Sequence, residues 1–353
     1  MEDTYWKASD EFPDATDNTT LHAFLLEKHI ILTAKLPNLL EEKNYADWNR
    51  PNIKINVGRK EIPIYVTLSP MDENGKRITQ GKYTEYDKQV YDAICSFYYC
   101  KCYTFTVAMV YRAIINETQS GAPSEQSLAE VEASIEAQRR IEVKINATEQ
   151  FADWKGKDPS EYKLMFEDKL LNLSLVETVT GGQTVKAYHL EEKPVFYEYA
   201  EQAEQLTTIK PELLGIRKID SHGRFGSRIS NTKNRIAIKG YLLRRMAIMQ
   251  RDYKKNALPG YKRYKKRQEK EDKPINKSPV DFLELGNKIA YTKVFERVDM
   301  TGQSRSEEKR YKEYMLQCCE YWKAVGFIDG YTEYTSGTKS RKSGIAILFN
   351  FTE

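Results

Sequence analysis

The chain is poor in the residues that build disulfide scaffolds and metal centres. Five cysteines are spread over 353 residues, an odd number that does not fit a closed disulfide framework. Cys318 and Cys319 are adjacent on an expected helix, where neighbouring side chains diverge. Cys100-Lys-Cys102 has the look of half a zinc site. No second Cys or His pair stands at finger-like spacing, so small residues in a turn between helices is the favoured reading. The four histidines, His22, His29, His189 and His222, form no HExxH. No His-x-His precedes a tyrosine as a metal-dependent nickase requires. Gly181-Gly182-Gln183-Thr184 lacks the lysine and spacing of a phosphate-binding loop and reads as the tight turn of a hairpin. Carboxylates are plentiful, but nothing in their spacing pairs two of them. No cofactor or metal is expected, and an enzyme is the weaker expectation. No apolar run approaches the length of a membrane helix. Glu2, Asp3, Asp10 and Asp14 stand where a signal peptide is basic, and Glu27, Lys28 and His29 interrupt the apolar stretch at residues 21 to 32. A cytoplasmic protein without a membrane partner is expected.

What the chain does have is charge, unevenly placed. The net +4 of the whole hides a division at Leu206. Residues 206 to 353 carry 32 Lys+Arg against 17 Asp+Glu, a net +15, which leaves −11 on residues 1 to 205. Such asymmetry points to nucleic acid, or less often an acidic membrane surface, as the ligand of the C-terminal part. The length alone argues for two or three domains.

The order of elements suggests one architectural unit used twice. In "YTEYDKQVYDAICSFYYC" Thr84 and Asp87 have capping-box spacing, and Val90, Ile94 and Phe97 recur at helical intervals. Thr106 opens a second helix, "VAMVYRAI". Ser124 opens a third, whose Leu128, Val131 and Ile135 form its apolar stripe. The strand "IEVKIN" at residues 141 to 146 and the hairpin across Gly181-Gly182 are expected to pair into one small sheet. Three helices followed by a hairpin is the order of a winged helix-turn-helix. That order returns with "TKNRIAIKGYLLRRMAIMQRD", then "IAYTKVFERV" at residues 289 to 298. A third helix follows, with Ser304 and Glu307 as capping box, Tyr311, Met315, Cys318, Trp322 and Val325 as core stripe, and Gly326 at its end. Residues 327 to 334 and 344 to 351 are the closing strands. The expected fold is α+β: two tandem winged helix-turn-helix domains with a small N-terminal extension. The extension is residues 1–82, with a short hairpin around Gly58-Arg59. The first winged helix is residues 83–205, and the second, the main DNA reader, is residues 206–353 with a basic insert at 253–280.

The candidate contacts with double-stranded DNA follow from this layout. Gln303, Ser304, Arg305, Lys309 and Lys312 lie on the outer side of the last helix, whose N-terminal residues would meet base edges in the major groove. A solvated basic face balanced by Glu307, Glu308 and Glu313 is the competing reading. Lys339, Arg341 and Lys342 crown the closing hairpin as a basic wing, or as a solvated turn. The insert is too charged for a packed turn and is expected to be a mobile loop. Its Lys262, Arg263, Lys265 and Lys266, interleaved with Tyr261 and Tyr264, suit phosphates or stacking on exposed bases. In the first unit Glu125, Glu130, Glu132 and Glu136 are expected on exposed positions of the third helix. They would repel DNA and turn that unit towards self-association or a weaker DNA contact.

The segments "YTEYDKQVYDAICSFYY", "FTVAMVYRAI", "RRIEVKINATE", "IKGYLLRRM" and "YWKAVGFIDGY" resemble the replication initiator (Rep) proteins of plasmids and related mobile elements, over roughly residues 50 to 350. The resemblance implies tandem winged helices that bind repeated sites at an origin, help to open the duplex and recruit host replication proteins. As dimers, many members repress their own gene. The long basic insert and the acidic third helix of the first unit depart from the simplest family pattern. A transcriptional regulator would use the same surfaces. A nickase or recombinase and a scaffold that does not bind DNA are the readings from other classes.

Overall fold

The computed structural model describes residues 28–33, 53–57, 60–117, 123–180, 183–283, 286–336 and 342–349. The fold is α+β, divided into two compact units, Met1–Gly215 and Ile216–Glu353.

The first unit begins with β1 (His29–Leu32), β2 (Ile53–Val57) and β3 (Lys60–Pro70), followed by α1 (Glu85–Tyr99). Thr84 caps α1: its hydroxyl accepts from the Asp87 amide at 3.2 Å, and the Asp87 carboxylate accepts from the Thr84 amide at 2.8 Å. Val90, Ile94 and Phe97 are wholly buried. The same helix holds β1, because Ser96 and Asp92 accept from the amides of Ile30 and Leu32. Next come β4 (Thr104–Phe105), α2 (Val107–Ile115), capped by Thr106, and α3 (Glu125–Arg139), capped by Ser124. The chain continues through β5 (Ile141–Asn146), α4 (Thr148–Lys155), β6 (Met165–Lys169), β7 (Leu173–Thr180), β8 (Gln183–Leu190), α5 (Val195–Gln202) and β9 (Leu206–Ile209).

Three expectations are corrected here. Residues 141 to 146 do not join the hairpin β7–β8. They pair with β3 and β6 in a four-stranded sheet of order β2-β3-β5-β6, while the hairpin pairs with β4 in a sheet of order β4-β8-β7. The alternation of β5 explains its place: Ile141, Val143 and Ile145 are buried, and β3 offers Ile64, Val66 and Leu68 as a matching apolar face. Along the chain the second unit also begins ten residues beyond the expected division at Leu206. Strand β9 pairs antiparallel with β1, Leu32 opposite Leu206, and so belongs to the first unit. Residues 1–82 are likewise no separate extension where they are described, since β1 and β3 are integral to the sheets of that unit. The hairpin β2–β3 is present; Gly58 and Arg59 lie outside the described residues.

The second unit opens with a short ribbon, β10 (Arg217–Ile219) and β11 (Phe225–Arg228), and then α6 (Lys233–Asp252), capped by Thr232. A π turn at Tyr253–Ala257 carries the chain into α7 (Leu258–Lys270). After a 3-10 turn at Pro279–Phe282 come β12 (Lys288–Ala290), α8 (Tyr291–Arg297), α9 (Arg305–Ala324), β13 (Gly330–Thr335) and β14 (Lys342–Leu348). Strand β14 lies between β12 and β13. The core is the inner side of α9: Tyr311, Met315, Cys318 and Trp322 are buried, together with Tyr314 and Cys319. Gly326 ends the helix at φ +73°, a left-handed conformation that glycine adopts without strain. At Gly344 the sheet leaves no room for a side chain. An added Cβ would fall on the Ile289 carbonyl oxygen and within 2.7 Å of the Tyr334 hydroxyl.

Candidate nucleic-acid interface

The start of α9 is fixed by its cap. The Ser304 hydroxyl accepts from the Glu307 amide at 3.3 Å, and the Glu307 carboxylate accepts from the Ser304 amide at 3.1 Å and hydroxyl at 2.8 Å. These bonds, from the Ser304 side chain first, hold the Glu307 carboxyl below its ordinary range. The Gln303 amide, turned to satisfy its hydrogen bonding, donates to both Glu307 oxygens at 3.2 and 2.9 Å. Gln303 and Ser304 are thus engaged in holding the helix N-terminus.

The three cations expected one helical turn apart are separated by the structure. Arg305 and Lys309 are exposed, Lys309 with a surface pairing to Glu313 at 3.9 Å. Lys312 is turned inward: it pairs with Glu308 at 3.3 Å, and its ammonium lies 5.3 Å from the Tyr291 ring centroid and 5.9 Å from that of Phe295. Arg310, which sequence reading passed over, is exposed beside Arg305 and Lys309, its guanidinium over the Tyr311 ring. Positions 305, 306, 309, 310 and 313 form the exposed side of the helix, and 312 falls at its edge. The buried Tyr311 and Tyr314 set that rotation.

The hairpin β13–β14 is braced against this helix pair. The Tyr331 hydroxyl donates to Glu320 on α9 at 3.0 Å, and the Tyr291 hydroxyl on α8 donates to Glu333 at 2.7 Å. Burial, with these carboxylates second, pushes both phenols up. Near the tip, the Ser336 amide and hydroxyl donate to the Ser343 hydroxyl at 3.0 and 2.8 Å. Of the three wing cations, Lys342 is described, exposed at the first position of β14; Lys339 and Arg341 lie outside the described residues. A cleft of about 360 Å³ runs between the first turns of α9 and the tip end of the hairpin, lined by Tyr291, Phe295, Glu308, Lys312, Tyr334 and Lys342.

The insert expected as a mobile loop is a helix. Tyr261 and Tyr264 of α7 pack on Phe282, with ring centroids 6.1 and 5.6 Å away, and Lys277 lies over Tyr264 and Phe282. The Asn276 amide donates to the Tyr264 hydroxyl. Residues 271 to 283 therefore fold back over one side of α7, and Gly260 allows this: a Cβ there would meet Phe282 at 3.2 Å. The tyrosines are packing groups. On the opposite side Lys262, Arg263 and Lys266 are exposed, as are Arg267 and Lys270 a turn later. Only Lys265, also exposed, reaches a carboxylate, Glu269 at 4.0 Å.

The matching helix of the first unit is different in kind. The carboxylates expected to stand free on α3 are partly turned in. Glu132 pairs with Lys186 of β8, and Glu136 accepts from Arg139 at 2.9 Å and from the Tyr188 hydroxyl at 2.7 Å. Arg139 also donates to the Leu173 carbonyl. Glu125 is exposed, Glu130 half-buried, and the exposed line along the helix is Ala129, Ala133 and Ala137. Elsewhere in this unit Cys102 is buried, its thiol donating to the Thr104 carbonyl, and burial pushes it up to about 12. Among the described residues no three His, Cys, Asp or Glu gather as a metal-binding group, and no helix is long and apolar enough to cross a membrane.

No family model matches the chain, and no curated protein matches it. Among solved structures the chain is similar to the crystal structure of selenomethionine derivatives of domain 2 and domain 3 of RctB. The sequence identity is 8% and the TM-score 0.39, over 85% of this chain and 91% of that one.

Proposed function

We propose that this chain is a non-catalytic, sequence-specific double-stranded DNA-binding protein, built on two tandem winged helices and acting at repeated sites of a replication origin. The succession helix, short strand, helix, helix and a closing hairpin, with the short strand paired to the last one, occurs in each unit, interrupted by β5, α4 and β6 in the first and by α7 in the second, and supports the winged-helix reading. One observation carries the DNA reading. The first turns of α9 and the tip end of β13–β14 border one cleft, lined by Glu308 and Lys312 of the helix and Lys342 of the hairpin, and the same turns of α9 carry Arg305, Lys309 and Arg310 exposed. A recognition helix and its wing need that arrangement: the helix start meets base edges while the wing reaches the flanking backbone. Replication, with host replication proteins as partners, rests on the resemblance of the quoted segments to Rep proteins. The first unit, acidic overall and with alanines along the exposed line of α3, is assigned to self-association.

The test is a fluorescence-anisotropy titration of the full chain on duplexes containing and lacking the footprinted site, at several salt concentrations. Neutralising about six phosphates predicts that log K falls with log salt at a slope near −5. Arg305→Ala should weaken the cognate duplex by about tenfold or more and random duplex little. Absence of salt-sensitive duplex binding would refute the reading, and a footprint without repeated sites would refute its assignment to an origin.

A further inference from the structure

A basic element of the second unit stands outside the helix, wing and insert just described. Between Ser221 and Arg251 the chain contains no Asp or Glu, and the ribbon β10–β11 lies at the start of that stretch. Arg217, Lys218 and Arg224 are exposed. The one carboxylate in the ribbon, Asp220, is used up inside the turn. It accepts from the amides of His222 and Arg224 at 2.8 and 2.9 Å and from the Arg224 guanidinium at 2.8 Å. Those bonds, the Arg224 amide first, hold its carboxyl below the ordinary range and make the turn stiff.

Phe225 follows that turn, the first residue of β11. Its side chain is 51% exposed, more than any other large apolar side chain among the described residues. The ring is not loose: it meets Tyr321 of α9 edge-on, with centroids 5.9 Å apart. Gly226 follows it, and Gly223, at φ +77°, stands two residues before it in the turn. Nothing in the core needs an aromatic there. A stiff, cationic turn that presents one uncovered ring has the chemistry of a wedge. Cations hold the phosphates on either side while an apolar side chain enters between base steps from the minor groove. A single-stranded ligand would instead stack along successive rings, and the ribbon offers one.

We propose that the β10–β11 ribbon is a further duplex-DNA contact, in which Arg217 and Lys218 hold backbone phosphates and Phe225 wedges against a base step. The inference rests on the DNA-binding reading of the second unit and adds to it a site that deforms the duplex. Tyr321 lies sixteen residues after Arg305, about 24 Å along α9 at 1.5 Å per residue. The wedge therefore acts away from the bases that Arg305 meets.

The experiment uses the full chain, a labelled 40-base-pair A·T-rich duplex and a 40-nucleotide oligothymidine. Anisotropy is read at several salt concentrations, and thymine oxidation by permanganate reports unstacking. Wild type should bind the duplex and render thymines reactive. R217A/K218A should flatten the salt slope by about two units. F225A should leave the slope unchanged, weaken duplex binding about tenfold and abolish permanganate reactivity. F225L, which keeps an apolar wedge against Tyr321, should retain both. If wild type binds no duplex, the DNA reading itself fails and this inference with it. If wild type binds and both ribbon variants match it in affinity, slope and reactivity, the ribbon is no contact and only this inference falls. If F225A weakens oligothymidine alone, the ring stacks on single strands and the wedge is refuted.

Discussion

Lys239 on α6 is fully buried, and burial outweighs the neighbouring Cys318 thiol in pushing its ammonium down to about 7, with Arg228 acting in the same direction. In the unfolded chain the same group has an ordinary lysine value of about 10.4. Below pH 7 both states are protonated, and the folded state bears the whole cost of the buried charge. Between pH 7 and 10 the unfolded state holds a proton that the folded state has released. Stability therefore rises with pH across that window, by about 1.4 kcal/mol per pH unit if the group acts alone. From pH 7 to 8.5 the gain is about 2 kcal/mol. The buried thiols Cys318 and Cys319, pushed up by burial, favour the unfolded state as it ionises them near the top of that range, an effect common to wild type and mutant that cancels in their comparison. Lys239→Met keeps an unbranched side chain one atom shorter and removes the titration. Urea unfolding can be followed through the 19F resonance of 5-fluorotryptophan at Trp322, which is fully buried on the adjoining helix. Wild type should gain about 2 kcal/mol between pH 7 and 8.5 relative to Lys239→Met. Parallel pH dependence in the two proteins would refute the reasoning, because Lys239 would then stay charged in the folded state throughout.

Replacing Lys262, Arg263, Lys266 and Arg267 with Gln should flatten the salt slope of duplex binding by about three to four units while leaving the preference between cognate and random duplex unchanged. Anisotropy on both DNAs checks this, and a selective loss on cognate DNA would assign sequence reading to α7. Gly344→Ala should destabilise the second unit by about 3 kcal/mol, at the high end for overpacking, because its Cβ collides with the backbone of β12 and no rotamer relieves it. Chemical denaturation monitored at Trp322 measures this, and a neutral result would mean that β12 leaves the sheet at little cost.

Helix starts were the most legible feature of the sequence. Thr84, Thr106, Ser124 and Ser304 all accept from the amide that a capping residue should satisfy, because a cap is decided within four residues. Apolar stripes were legible for the same reason. What escaped was decided at a distance. The insert has no apolar stripe of its own beyond Tyr261 and Tyr264, and it becomes a helix only because Phe282, far along the chain, folds back on them. Strand β5 alternates cleanly, yet alternation does not name a partner. β3, some seventy residues earlier, supplies the apolar face that fits it.

The candidate site divides along the same line. Basic residue type was visible from sequence, but whether a cation is free depends on the rotation of its helix and on the neighbours that packing brings to it. Lys312 and Arg310 are two residues apart, of one charge, on one helix. The first lies over Tyr291 and Phe295 and pairs with Glu308, while the second faces outward. A Lys312→Ala effect on DNA binding would thus mix the loss of a brace with the loss of a charge, whereas Arg310→Ala removes charge from an exposed position. The same distinction applies to Glu132 and Glu136 on α3, where Lys186 of β8 and Arg139 of the same helix offset part of the negative charge that the sequence placed there. The acidic balance of the first unit is therefore a weaker barrier to DNA at α3 than residue counts imply. The absence of any cation at Ala129, Ala133 and Ala137 is the stronger reason to look for base contacts on α9 instead.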